Sequence, residues 1–112
     1  MMPRLQRSYS VITKEALRLL SMQIKMARKE RRMTEAELAE RIGVARSTVQ
    51  LIEKGAPTVA VGLVFEAARV VGVGLFVPEA TSLTPLVERA RDRLMLLPKS
   101  IRRRKAVADN DF

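Results

Sequence analysis

A chain of 112 residues has room for one small domain, or for a compact core with loose ends. It carries 21 Lys+Arg against 12 Asp+Glu, a formal charge of +9, and 47% apolar residues, too many for wholesale disorder. It has neither Cys nor His, which excludes disulfides, the usual metal ligand sets, thiol nucleophiles and imidazole acid–base chemistry.

The longest uncharged apolar stretch, Val59 to Phe65, is far short of the ~20 residues that cross a bilayer. Met1-Met2-Pro3-Arg4 has no apolar signal core. The expectation is a cytoplasmic binding protein with no membrane partner, no metal and no cofactor. A domain this short buries only roughly 60–65% of its unfolded surface, so its stability is modest unless subunits associate. Charge is unevenly placed. Residues 1–34 carry net +7, residues 35–72 net −1, residues 73–98 zero and residues 99–112 net +3. Basic ends around a neutral middle attract polyanions, most commonly nucleic acid. A merely solvated surface is the alternative.

In chain order, Thr13 is placed to cap a helix running from Lys14 to about Arg32, with no Pro or Gly inside it. Leu17, Leu20, Ile24 and Ala27 form its core-facing stripe. Leu19, Met22 and Met26 form a second apolar stripe that must meet something else. Thr34-Glu35-Ala36-Glu37 is a capping box opening a helix to Ile42, with Leu38, Ala39 and Ile42 inward and Gly43 as its stop. A second short helix spans about Arg46 to Lys54, with Val49 and Ile52 inward, and Gly55 ends it. Two short helices joined by a tight turn containing Gly describe a helix-turn-helix.

A further helix is expected from Val59 or Ala60, with Val61, Val64, Phe65, Ala68 and Val71 inward. Gly72 to Pro78 reads as a short strand, rich in branched and aromatic residues and in need of a partner strand. Its Gly-x-Gly pair follows a helix and lacks the further glycine or lysine of a nucleotide loop. Thr84-Pro85 marks another helix start, a capping hydroxyl followed by Pro at the first position. That helix runs to Leu97, with Leu83, Val87, Ala90, Leu94 and Leu97 on one face. The tail from Lys99 is polar and aperiodic, and is expected to be disordered. It holds the basic run Arg102 to Lys105 and ends Asp109-Asn110-Asp111-Phe112.

The stretch Met33 to Gly55 resembles the lambda-repressor/Cro-like (XRE) helix-turn-helix family. The resemblance rests on Leu38-Ala39, Gly43 and Val44 at the turn, Ser47-Thr48-Val49, and the closing Ile52-Glu53-Lys54-Gly55, and extends over roughly residues 20–72. It implies an all-α, five-helix domain that binds double-stranded operator DNA as a homodimer. The flanks are similar to HipB-type antitoxins: Tyr9-Ser10 ahead of the first helix, the Gly72–Pro78 segment, and an aromatic chain end. That similarity implies an intersubunit β-structure built by Val73, Leu75, Phe76 and Val77, and a HipA-type serine/threonine kinase toxin as partner. The helix at 84–97 departs from the short antitoxins of this type. The expected organisation is an arm (1–12), the helix-turn-helix domain (13–72), a strand plus an extra helix (73–98), and a tail (99–112).

On this reading the second helix of the motif lies in the major groove. Arg46 pairs with guanine, Gln50 with adenine, Ser47 with a base or phosphate, and Leu51 touches a thymine methyl. Phosphate contacts are expected from Lys29, Arg31, Arg32, Thr34, Glu35, Arg41, Thr48 and Lys54, aided by backbone amides at Thr34 to Ala36. Two positions depart from the family: Ala45 replaces a capping Ser, and Glu35 stands where many members have Gln. The resemblance also pairs Arg28 with Glu53 in a structural ion pair.

Three functions compete. One is an autoregulating repressor and antitoxin, whose partner meets Phe112, Asp111 (with Asp109), Met22 and Met26. The second is a stand-alone regulator that uses the Met/Leu stripe as dimer interface. The third, an enzyme acting on nucleic acid, is disfavoured by scattered carboxylates and the absence of His, so no catalytic residue is assigned. Tyr9, Phe65, Phe76 and Phe112 are too few for an RNA-stacking platform.

Overall fold

The computed structural model describes residues 8–78 and 82–103. Among them lie five helices and no strand: α1 (Val11–Glu30), α2 (Glu35–Ile42), α3 (Arg46–Glu53), α4 (Val61–Val71) and α5 (Thr84–Met95). The chain divides near residue 80 into two units, the first holding α1 to α4 and the second α5. The first unit thus has four helices among the described residues rather than the five that the resemblance implied.

α1 starts three residues ahead of the predicted start at Lys14. Ser10, not Thr13, is its N-cap, and the Thr13 N–H donates to Ser10 Oγ at 3.3 Å. It also ends sooner. Arg32 takes a left-handed conformation at φ 54°, its N–H donating to the Lys29 carbonyl and the Met33 N–H to the Arg28 carbonyl. Such a reversal normally uses Gly, and a side chain there costs on the order of 1 kcal/mol. It folds Met33 into the core, where 8% of it stays exposed.

α2 follows its local signals. The Glu37 N–H donates to Thr34 Oγ1 at 3.1 Å and the Thr34 N–H donates to Glu37 Oε1 at 3.2 Å, closing the capping box. Gly43, at φ 73°, provides the turn into α3. Leu38, Ala39, Val49 and Ile52 are buried as expected, joining Ile24, Ala67, Ala68 and Val71 in one core. α4 begins at Val61, which is 65% exposed and not inward; the inward turn is Ala67 and Ala68.

The expected strand is absent. Gly72 closes α4 in the left-handed region, and the Val77 N–H donates to the Leu75 carbonyl at 2.7 Å across Phe76, whose φ is 66°. This is a γ-type turn, which is strained at a bulky residue. The chain folds so tightly that a Cβ on Gly74 would lie 2.6 Å from the Pro78 carbonyl oxygen. Branched residues favour extended chain, but the fold-back over Gly74 overrides that preference. Val73, Leu75, Phe76 and Val77 therefore form a turn and not the expected dimer strand. Phe76 instead meets Phe65 edge-on, ring centroids 6.2 Å apart, while 81% of it remains exposed.

In the second unit, Leu83 is the N-cap of α5 and makes no side-chain cap bond, so Thr84 is inside the helix rather than capping it. Ser82 Oγ accepts from the Thr84 N–H at 3.2 Å instead. α5 ends at Met95, short of Leu97, and none of its residues is buried. Residues 99–103 are exposed; the remainder of the expected tail and residues 1–7 of the expected arm lie outside the described residues.

One contact fixes the first unit. Arg28 Nε donates to Glu53 Oε2 at 2.6 Å and Nη2 to Oε1 at 3.0 Å, while Nη1 donates to the Met33 carbonyl at 2.8 Å. Both side chains are buried, 9% and 3% exposed. The hydrogen bond to Glu53 holds the Arg28 guanidinium above its ordinary range against the opposing effect of burial, and the charges of Glu53 and Glu35 reinforce it. Removing one partner of such a pair strands the other charge in the core, at a cost of about 3–5 kcal/mol. Glu53→Ala is expected to lower Tm by more than about 10 °C in a thermal melt, whereas loss of a purely exposed pair would leave it unchanged.

Candidate nucleic-acid interface

α3 is eight residues long and its inner side is committed: Val49 and Ile52 are in the core and Glu53 is in the ion pair. A helix so anchored must show its other side to solvent. Arg46 and Ser47 are exposed, Leu51 is 42% exposed and Gln50 is half-buried. All four predicted base readers thus belong to a surface edge, with Gln50 the most recessed. Ala45 is the N-cap and makes no side-chain cap bond, as its identity predicts.

Glu35, expected among the phosphate contacts, bonds to α3. It opens α2, and its Oε1 accepts from Arg46 Nη2 at 3.3 Å and from Gln50 Nε2 at 3.5 Å. Burial alone would raise its carboxyl. Hydrogen bonds from Gln50 and Arg46 and the charges of Arg46 and Arg28 outweigh this and hold it below the usual carboxylate range. The stabilisation from ionised Glu35 is therefore complete above its unfolded pKa and is lost as pH falls through the lower folded value. This acid ties together two of the four predicted base readers. Its distances to Arg46 and Gln50 come only from folding.

Arg32, Thr34, Glu35 and Arg46 line one concavity of about 530 Å³ with Arg28, Met33 and Ala36. The Thr34 N–H is consumed by the capping box. The first-turn amides of Glu35 and Ala36 have no acceptor within the helix. Lys29, Arg41 and Lys54 are exposed outside that lining, and Thr48 is half-buried. Arg31 packs its guanidinium against Gly72, where a basic group suits the carboxyl end of α4. Met22 and Met26 are 49% and 55% exposed. Asp109, Asp111 and Phe112 lie outside the described residues.

Residues 24–77 match a protein family described as Helix-turn-helix, a span just under half of the chain. It contains α2, the Gly43 turn, α3 and α4. The match supports the XRE-type reading of this segment and, with it, a DNA-binding transcriptional regulator. No curated protein and no solved structure matches the chain. Among the described residues, no helix is long and apolar enough to cross a membrane.

Glu35→Gln keeps the shape of the site but removes a negative charge beside the surface expected to meet phosphates. Binding to duplexes of any sequence is expected to tighten about threefold at low salt, as follows from one unit charge several ångströms away in water. Fluorescence anisotropy on matched and scrambled duplexes reads this; unchanged binding to both would remove Glu35 from the interface.

Proposed function

We propose that this chain is a sequence-specific operator-binding repressor that acts as a homodimer. The observation that carries the reading is the division of α3. One side is locked by Val49, Ile52 and the Arg28–Glu53 pair, and the other presents Arg46, Ser47 and Leu51 to solvent. In the major groove the Arg46 fork suits guanine O6 and N7, and the Gln50 amide suits adenine N6 and N7. Glu35 accepts from both donors and so fixes where they start before DNA arrives. Lys29, Arg32, Arg41 and Lys54 supply the sequence-independent attraction to phosphates, with Thr34 and Thr48 as polar contacts. Repression follows if the occupied operator overlaps a promoter. The reading needs no catalytic residue, metal or cofactor.

A second reading adds an antitoxin role toward a HipA-type kinase. Its support is the likeness of Tyr9-Ser10 and of the acidic–aromatic ending Asp109 to Phe112. Co-purification with a kinase encoded next to this gene, lost on deleting residues 106–112, is the result expected of it; no retained partner leaves the stand-alone repressor.

For the repressor reading, Arg46→Ala and Gln50→Ala are expected to abolish preference for the selected operator over scrambled duplex. Lys54→Ala is expected to weaken both alike, and to flatten the slope of log K against log salt by about 0.9. A footprint should show two half-sites related by a dyad, about one helical turn apart or a multiple of it. Equal loss of all sequences on Arg46→Ala would show that α3 does not read bases.

A further inference from the structure

Glu35 Oε1 takes two donors of α3 at once, Arg46 Nη2 at 3.3 Å and Gln50 Nε2 at 3.5 Å. The two differ in kind. A guanidinium carries donors only, so Arg46 offers the same hydrogen-bonding pattern whichever way its fork turns. A carboxamide has an NH2 donor at one end and a carbonyl acceptor at the other, and turning it over exchanges what it shows to a ligand. Gln50 therefore has two patterns to offer, and its surroundings must choose between them.

An ionised carboxylate only accepts. Against the effect of burial, the hydrogen bonds from Gln50 and Arg46 hold the Glu35 carboxyl below its usual range, so it is ionised at neutral pH. With Nε2 toward Glu35, the Gln50 amide is satisfied at its inner end. Turned over, it would set its own oxygen against a negatively charged one. Gln50 is half-buried, which limits escape by swinging the side chain away. The outer end is then the carbonyl. Among the described residues no buried side-chain oxygen lacks a partner, and none of them donates to Gln50 Oε1, so that oxygen reaches the surface.

In the major groove the amino groups of adenine (N6) and cytosine (N4) donate, while guanine O6 and thymine O4 accept. A carbonyl pointing out of the protein pairs with the first two and repels the second two. We propose that Glu35 fixes the Gln50 amide with its oxygen outward, and that the base Gln50 meets must therefore carry an amino group. Glu35 is a positioning residue, acting on the base through Gln50. The inference rests on the reading of α3 as the base-reading helix and adds the chemical class of base taken at one position. In a Glu35→Gln variant the side chain at 35 donates as well as accepts, so both orientations of Gln50 are allowed.

Selection of duplexes from a random pool by the full chain, followed by fluorescence anisotropy on the selected sequence, tests it. The Gln50 position is the one whose preference disappears in Gln50→Ala, and Arg46→Ala marks the Arg46 position in the same way. At the Gln50 position the wild-type chain is expected to favour adenine over guanine, or cytosine over thymine, at least about tenfold. Glu35→Gln is expected to shrink that ratio to about threefold or less, with circular dichroism confirming an intact fold. The guanine preference at the Arg46 position is expected to stay within about threefold of wild type, since Arg46 has no acceptor to turn. Three results overturn the proposal: guanine or thymine favoured at the Gln50 position, an undiminished ratio in Glu35→Gln, or equal losses at both positions, the mark of a merely structural role. If Gln50→Ala alters no position while Arg46→Ala does, the inference falls and α3 still reads bases. If neither variant alters any position, the repressor reading falls with it.

Discussion

The Arg28–Glu53 pair is the constraint on which the first unit depends. It joins the last turn of α1 to the last residue of α3, and through Nη1 it also holds the Met33 carbonyl at the turn into α2. An acid at the carboxyl end of a helix is unfavourable for the helix dipole, and a buried charge is worse still without a partner. The bidentate guanidinium answers both, and each of its three nitrogens donates a hydrogen bond. Two short helices of eight residues are marginal alone. Tied this way, α3 has a fixed rotation about its own axis, and that rotation decides which residues reach solvent.

The surface so presented is not simply basic. Glu35 draws on Arg46 and Gln50, so the charge at the exposed edge of α3 is partly neutralised within the protein. On the proposed DNA reading, attraction to phosphates rests on the exposed cations around the edge, while the edge itself offers directional hydrogen bonds. A site with its donors already oriented loses less entropy on binding, and one with less net charge gains less from a wrong sequence. Position and charge are thus supplied by different residues.

Elements governed by short-range chemistry were legible. The capping box at Thr34–Glu37, the left-handed Gly43, and the periodicity of Leu38, Val49 and Ile52 all involve residues within a turn or two of one another. Legibility failed where two local signals competed, or where none existed. Ser10 and Thr13 are both capping hydroxyls three residues apart, and their order is settled by which N–H each reaches. Arg32 ends α1 without a glycine to announce it. Gly72 to Pro78 has strand composition, yet Gly74 permits a fold-back that no other residue would fit. Composition reports preference per residue; the turn is a property of the chain closing on itself. Of the candidate interface, helical spacing separated Arg46, Ser47, Gln50 and Leu51 from the inward Val49 and Ile52; their role as base readers rests on the resemblance. Helical spacing did not show the capture of Arg46 and Gln50 by Glu35.

By itself, the sequence determined the chemistry available to this protein: without His or Cys, it works with guanidinium, ammonium, carboxylate, amide and apolar groups. It also determined the helix-turn-helix, because caps, glycine and periodicity act over a few residues. Tertiary structure decided which charges stay outside, and only the Arg28–Glu53 pair was implied beforehand, by the resemblance. Of two arginines equally basic in sequence, Arg28 is buried against Glu53 and Arg46 stands in solvent against Glu35. The physical reason is that desolvation and pairing depend on neighbours 11 to 25 residues away along the chain, and such neighbours exist only once the helices have packed.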